Sequence, residues 1–94
     1  MLEIRKAEDG SILFSGRFDA SQEQTATAFM ETLDSHHILD FSSLEYISSA
    51  GLGALLGAQK RLKGRGGSLH IINANKHIRD VFFYSGLARI FEMA

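Results

Sequence analysis

The sequence predicts a single α/β domain built on a mainly parallel sheet, and three observations support this class. Alternating apolar residues flank Asp9-Gly10, a dipeptide that accepts the positive φ angles of a tight hairpin turn. Beyond that hairpin, short apolar runs alternate with segments of helical periodicity, which favours right-handed crossovers between parallel strands. The chain has 94 residues, of which 45% are hydrophobic and 22% charged, enough for one core and too few for two. We therefore expect one domain over residues 1–94, a mixed sheet with helices packed on it.

The first half of the chain predicts two antiparallel strands, a helix and a short buried strand. The alternating apolar positions of the opening hairpin are Leu2, Ile4, Ile12 and Phe14. Ser21 and Gln24 have the spacing of a capping box, which predicts a first helix from there to about Asp34. Residues 38–41 form an apolar run typical of a buried parallel strand, and residues 42–45 are expected to form a loop after it.

A second helix is predicted to begin at Ser49, whose hydroxyl is expected to cap it. At 100° per residue, one side of this helix faces the core, with Leu52, Leu55, Leu56, Gln59 and Leu62. The opposite side carries Ala50, Gly53, Ala54, Gly57, Lys60 and Arg61. A glycine inside a helix costs about 1 kcal/mol relative to alanine. Close approach of another chain is the favoured reason for this flat face, and mere tolerance of the glycines is the alternative.

The last third of the chain predicts a strand, a helix and a short terminal strand. Residues 69–72 have the apolar pattern of a strand, and Asn75 can cap a third helix that ends at Gly86. The side chains of that helix expected to point inward are Ile78, Val81 and Phe82. Phe83 fits an exposed aromatic anchor and core packing equally well. Residues 90–93 are expected to add a last edge strand.

Composition excludes several classes of function. A net charge of −1 gives no electrostatic reason to expect nucleic acid or an anionic membrane surface as a partner, since both require a concentrated basic face. No cysteine is present, and no apolar run approaches the roughly 20 residues of a membrane span or the pattern of a signal peptide. These features predict a soluble cytoplasmic protein without direct membrane insertion.

No catalytic or cofactor site is predicted either. The four histidines include no i, i+4 pair for a metal. The run from Gly51 to Gly57 imitates a dinucleotide-binding turn only weakly, because the acidic residue expected further on is missing. No nucleophile elbow of the Gly-x-Ser-x-Gly type occurs. We therefore expect no enzyme activity, no metal and no cofactor.

Several short motifs resemble those of one known family. They are residues 16–19 (Gly-Arg-Phe-Asp), 39–42 (Leu-Asp-Phe-Ser), 47–53 (Ile-Ser-Ser-Ala-Gly-Leu-Gly), 73–78 and 85–87. In this order the chain resembles, over nearly its whole length, the STAS domains of bacterial anti-sigma-factor antagonists. In that family the central pattern is commonly Asp-Ser-Ser/Thr-Gly, and its first serine is phosphorylated by an ATP-dependent serine kinase that is also the anti-sigma factor. Matching on the glycine places that serine at Ser49.

The resemblance implies a partner switch. The unmodified domain binds the anti-sigma kinase and frees a sigma factor, phosphorylation weakens that complex, and a metal-dependent serine phosphatase resets it. The domain is then the substrate of the kinase and not itself an enzyme. The residues expected at the partner-binding surface are Asp19, Ser48, Ser49, Ala50, Gly51, Gly53, Ala54, Gly57 and Arg61. Asp40 is left open between capping a strand end and contacting the partner.

Two departures from the family pattern bear on this prediction. Ser48 replaces the aspartate that usually precedes the phosphoacceptor, which makes Ser48 a second candidate acceptor. The chain also stops soon after Phe91, so the C-terminal helix of many members is expected to be shortened or absent. An alternative is therefore a STAS subunit of a lipid-transport ABC complex, which keeps a similar Ser/Thr-Ala-Gly-Leu turn for docking and is not phosphorylated.

Overall fold

The computed structural model describes residues 1–94 as one five-stranded mixed sheet with three α-helices. The strands are β1 (Leu2–Lys6), β2 (Ile12–Phe18), β3 (His36–Ile47), β4 (Ser68–Ile72) and β5 (Glu92–Met93). The helices are α1 (Glu23–Met30), α2 (Ser49–Lys63) and α3 (Lys76–Tyr84), with short 3₁₀ helices at Ala20–Gln22 and Leu87–Arg89. The strands lie in chain order; β1 and β2 are antiparallel and the other neighbours are parallel. The predicted fold class is confirmed. None of the helices combines the length and the apolar character that a membrane span requires.

The opening hairpin forms as predicted. Gly10 takes a φ of 91°, and the carboxylate of Asp9 accepts a hydrogen bond from the amide of Ser11 at 2.9 Å. The register between β1 and β2 pairs Ile4 with Phe14, which directs both side chains toward the core. The core is centred on aromatic rings, with Phe14 lying 5.4 Å from Phe41 between ring centroids.

The predicted first helix divides into a 3₁₀ turn at Ala20–Gln22 and α1, which begins at Glu23 and ends earlier than predicted. Asp19, not Ser21, is the N-cap residue, because its backbone is extended and its carboxylate accepts from the amide of Ser21 at 3.0 Å. A 3₁₀ turn follows and leads into α1, which ends at Met30 rather than near Asp34. The chain turns after Met30 instead of continuing the helix: the Met30 carbonyl accepts from the Leu33 amide at 3.1 Å and also from the guanidinium of Arg61.

The loop predicted for residues 42–45 is wrong, because β3 continues through it to Ile47. The first part of β3 pairs with β4 as far as Asp40, and the second part pairs only with β2. Two register shifts against β2 keep Leu44 and Ile47 buried although the hydrophobic alternation is interrupted. Beyond the end of β4, the free edge of β3 is covered by Asn75, whose side-chain amide donates to the carbonyl of Leu44 at 3.2 Å.

Asn75 also caps α3, as predicted, since its side-chain oxygen accepts from the amide of Ile78 at 2.8 Å. Ile78 and Phe82 are buried and Val81 is half-buried, whereas Phe83 points to solvent. The terminal strand is shorter than expected. Only Glu92–Met93 pairs with β4, because residues 87–89 form a 3₁₀ turn that ends just before it.

Candidate functional site

The site lies where α2 leaves the carboxyl end of β3. Ser48 keeps an extended backbone, with φ −94° and ψ 173°, and its amide donates to the carbonyl of Phe18 at 2.9 Å. Its hydroxyl accepts from the amide of Gly51 at 3.2 Å. The prediction that Ser49 caps α2 is therefore wrong: Ser48 is the cap, because the chain enters the helical conformation one residue later.

Ser49 is the first residue of α2 and is exposed. Its hydroxyl takes part in none of the side-chain hydrogen bonds of the domain. It lies in the first turn, where backbone N–H groups have no intrahelical acceptor and the helix dipole is positive. That turn contains no acidic side chain. The hydroxyl is thus free for chemistry in a setting that favours an added negative charge.

Gly51 anchors this turn to the sheet. It is buried, and a Cβ there would lie 2.9 Å from Cγ1 of Ile47 and 3.0 Å from the carbonyl oxygen of Phe18. Any side chain would push the start of α2 away from β2 and β3. Gly51, predicted at the partner surface, therefore contributes by letting Ser48 and Ser49 approach the sheet edge.

A groove runs along α2 next to α1. Gly53 and Gly57 are exposed on its floor, and a Cβ built on either would meet no atom within 4 Å. The cavity encloses about 320 Å³. The residues that define this α1–α2 groove are Glu23, Thr27, Met30, Glu31, Gly53, Ala54, Gly57 and Ala58. Ala54 is half-buried against the core, and Ala50 is half-buried one turn closer to the sheet edge.

Arg61, at the far end of the same helix, is occupied within the domain. Its guanidinium donates to the carbonyl oxygens of Met30 at 2.6 Å and Leu33 at 2.9 Å. These bonds tie the end of α1 to α2, so Arg61 holds the two walls of the groove together.

Asp19 lies at the same sheet edge as the serines, because its neighbour Phe18 pairs with Ile47 in the parallel ladder. Its carboxylate accepts from the hydroxyl of Ser21 at 2.6 Å and from the Ser21 amide. These two hydrogen bonds hold the pKa of Asp19 below its usual value. Asp19 is thus ionised at neutral pH at the rim of the site.

Asp40 is placed differently. It pairs with Ile72 at the end of β4, and its carboxylate accepts from the amide of Ser42 at 2.9 Å and the side chain of Asn73 at 3.2 Å. Burial alone raises the pKa of Asp40, but these hydrogen bonds outweigh it and the net shift is downward. β3 continues past Asp40, so this residue does not cap the end of its own strand; its carboxylate instead holds Asn73, which follows the end of β4.

A stacked cluster beside the site was missed from the sequence. The guanidinium carbon of Arg17 lies 4.3 Å from the centroid of the Tyr46 ring, and His77 stacks on Tyr46 with centroids 6.4 Å apart. Arg17 and Tyr46 are register partners in β2 and β3. Only the strand register, which the sequence does not reveal across two irregularities, could have brought them together.

The family model described as "Mlab, STAS domain" matches residues 4–92, almost the entire chain. The chain belongs to the STAS-domain family. Among its relatives, BtrV of Bordetella bronchiseptica, which is named as an anti-sigma factor antagonist, is 42% identical over 57 residues. The match covers 61% of this chain and 49% of BtrV, so the STAS chain spans about half the length of this relative.

Solved structures share the fold over the full STAS domain. The anti-sigma factor antagonist SpoIIAA in its unphosphorylated form has a TM-score of 0.72 at 19% identity, covering 100% of this chain and 87% of that one. The phosphorylated form of SpoIIAA, from Bacillus, gives 0.71 at 22% identity, covering 100% and 91%. An anti-sigma factor antagonist homologue from Thermotoga maritima gives 0.80 at 17% identity, covering 99% and 85%. At these identities the likeness establishes the fold alone.

Of the predicted site residues, this STAS domain brings Asp19, Ser48 and Ser49 together at one sheet edge. Gly53 and Gly57 extend the site along α2, while Gly51 and Arg61 support it from within. No group of three or more His, Asp or Glu side chains is arranged to hold a metal ion.

Proposed function

We propose that this STAS domain is an anti-sigma-factor antagonist whose binding to an anti-sigma serine kinase is controlled by phosphorylation of Ser49. One observation carries the proposal: of two adjacent hydroxyls, that of Ser48 is engaged in capping α2, whereas that of Ser49 is exposed and unengaged. A kinase can reach Ser49 without unfolding the helix. Ser48 is half-buried and its oxygen already accepts from the Gly51 amide, which makes it the less accessible acceptor.

The geometry also accounts for how a phosphate acts as a switch. Ser49, Gly53 and Gly57 are spaced by four residues and share one face of α2. A phosphate adds roughly −1.5 to −2 charges, which the helix N-terminus accommodates but a chain packed over that face does not. The kinase would therefore bind the unmodified face, and a metal-dependent serine phosphatase would restore it. We place this cycle in the cytoplasm.

The comparisons support the same proposal. BtrV carries the name of an anti-sigma factor antagonist, and SpoIIAA has been solved in both a phosphorylated and an unphosphorylated form. A domain with this fold thus accepts a phosphate and remains folded, which the switch requires.

The test is incubation with a cognate anti-sigma serine kinase and ATP, followed by intact-mass measurement. The wild-type domain should gain one phosphate, Ser49→Ala should gain none, and Ser48→Thr, which keeps a capping hydroxyl, should still gain one. Phosphate that persists in Ser49→Ala and disappears from Ser48→Ala would move the acceptor to Ser48. Kinase binding should weaken for Ser49→Asp and remain for Ser49→Ala.

A second candidate is an unphosphorylated docking subunit of a lipid-transport ABC complex. It is favoured by Ser48 in place of the usual aspartate and by the turn Ser49-Ala50-Gly51-Leu52. Purification of a tagged chain from its own cells separates the two candidates. A stable complex with a permease and an ATPase, with Ser49 unmodified, would favour this one.

A further inference from the structure

The outward face of α3 carries an aromatic pair that the proposed function does not use. Phe83 is 68% exposed and Tyr84 is 81% exposed, while the preceding Phe82 is fully buried. The two exposed rings meet edge to face with centroids 5.3 Å apart. Adjacent aromatic side chains held rigidly in water are typical anchors of protein interfaces.

Phe83 lies between two arginines. One shallow cavity beside Phe83 is lined by Arg79 and by Asp80, whose carboxylate pairs with Lys76, and a second is lined by Arg89. The ion pairs of the domain are Arg65–Asp34, His70–Glu92 and Lys76–Asp80, so neither arginine beside Phe83 is neutralised. We call Arg79, Phe83, Tyr84 and Arg89 the Phe83 patch. It is an aromatic surface with two free positive charges.

The α1–α2 groove has the complementary character. Glu23 and Glu31 line it, and neither takes part in an ion pair. The positive charge at its far end, on Arg61, is directed at the carbonyls of Met30 and Leu33. The floor at Gly53 and Gly57 is bare, and the volume of about 320 Å³ lies at the lower end of ligand-sized cavities. An aromatic ring flanked by cations fits this groove in both size and charge.

We propose that the Phe83 patch of one copy of this chain docks into the α1–α2 groove of a second copy. The contact is a helix laid into a groove, with Phe83 over the glycine floor and the arginines opposite Glu23 and Glu31. The two surfaces share no residue, so the contact is heterologous, and in the open-ended arrangement that we propose every pair keeps one free patch and one free groove. Association therefore continues past the dimer as concentration rises.

Self-association affects the proposed partner face. Gly53 and Gly57 belong both to the groove and to the surface assigned to the kinase, so a copy seated in the groove excludes the kinase. This consequence rests on the proposed function, whereas the contact between copies does not. A small contact of this kind is weak, in the range of interfaces below about 1,200 Å².

Sedimentation equilibrium of the unmodified chain, up to about 1 mM because weak interfaces are populated only there, tests the proposal. The weight-average mass of the wild type should rise continuously past that of a dimer, and high salt should reduce the rise. Gly57→Leu, which fills the groove, and Phe83→Ser, which removes the anchor, should each weaken association at least tenfold. An equimolar mixture of these two variants should form a dimer and grow no further, because one intact groove and one intact patch remain.

Lys63→Leu is the matched control, since it adds the same side chain to exposed α2 outside the groove. It should associate like the wild type. Exchanging charges tests the orientation: Glu31→Arg and Arg79→Glu should each be monomeric, and their mixture should associate. A wild type that stays monomeric over the whole range, or a mixture of Gly57→Leu and Phe83→Ser that stays monomeric beside an associating wild type, overturns the proposal. Circular dichroism of each variant establishes that it is folded.

Discussion

Ser48 caps the helix of which Ser49 is the first residue. The hydroxyl of Ser48 accepts from the Gly51 amide at 3.2 Å, and the hydroxyl one position later faces solvent. Of two identical side chains, one is thus engaged in the helix cap and the other is unengaged. The usual aspartate of the family at this position can accept the same bond, so serine here preserves the cap.

This division predicts different costs for two neighbouring substitutions. Ser48→Ala should lower the free energy of unfolding by about 1 kcal/mol, because the Gly51 amide loses its acceptor. Ser49→Ala should change it by less than about 0.5 kcal/mol, as for other exposed positions without a partner. Urea denaturation monitored by circular dichroism measures both. Equal losses for the two variants would contradict the assignment of the cap.

Alanine substitutions at the glycines of α2 should change the stability in a direction that depends on whether a Cβ has room at the position. Gly53→Ala and Gly57→Ala should each raise the free energy of unfolding by up to about 1 kcal/mol, since the added methyl group meets open space and alanine favours the helix. Their effect on partner binding is then separate from stability. If both variants are stable but bind the partner less well, the partner contacts the exposed surface at Gly53 and Gly57.

Gly51→Ala is the matched control for that pair. Its methyl group would press against Ile47 and the Phe18 carbonyl, so the same substitution should lower thermal stability. Thermal unfolding of the three variants side by side is sufficient. A stabilising Gly51→Ala would show that the start of α2 is not held as closely to the sheet as described.

Arg61 should contribute more to the free energy of unfolding than its position on the surface of α2 suggests. Arg61→Ala should cost roughly 1.5 to 3 kcal/mol, because hydrogen bonds from a charged donor to the carbonyls of Met30 and Leu33 are lost. Arg65→Ala is the control: its pair with Asp34 is exposed and should contribute no more than about 1 kcal/mol. Chemical denaturation compares the two, and similar small losses would contradict the role of Arg61.

Local patterns were sufficient to predict most of the architecture. The Asp9-Gly10 turn, the Asn75 cap and the alternation of strands with helices depend on neighbouring residues and appear in the sequence directly. They suffice for the fold class and for the start of α2, where the candidate site lies. The choice between two adjacent serines did not follow, because the cap depends on where the backbone leaves the extended conformation.

Long-range contacts account for the remaining errors. The turn that ends α1 is held by Arg61, which lies 31 residues after Met30 in the hydrogen bond between them. The second half of β3 is held by β2 and by Asn75, although its own residues read as a polar loop. Tertiary partners thus overrode local propensity in both places.

Three carboxylates predict how stability depends on pH. The pKa of Asp9 is lowered by hydrogen bonds from Ser11, that of Asp19 by hydrogen bonds from Ser21, and that of Asp40 by Ser42 and Asn73 against the effect of burial. The unfolded chain, with a reference value of 3.8 for each, binds protons more readily than the folded one. Their contribution to stability is therefore fully present well above pH 3.8 and is lost as the pH falls through the lower, folded values.

Urea unfolding from pH 7 down to about pH 2.5, across the ordinary carboxyl range, should show a flat region and then a decline on the acid side. Asp40→Asn removes one titrating group and should make the decline shallower. Ser21→Ala removes the hydroxyl that donates to Asp19 at 2.6 Å, so NMR titration of the Asp19 carboxyl should give a higher pKa in that variant. An Asp19 pKa that does not move would show that the Ser21 hydroxyl is not what stabilises the ionised carboxylate at the rim of the site.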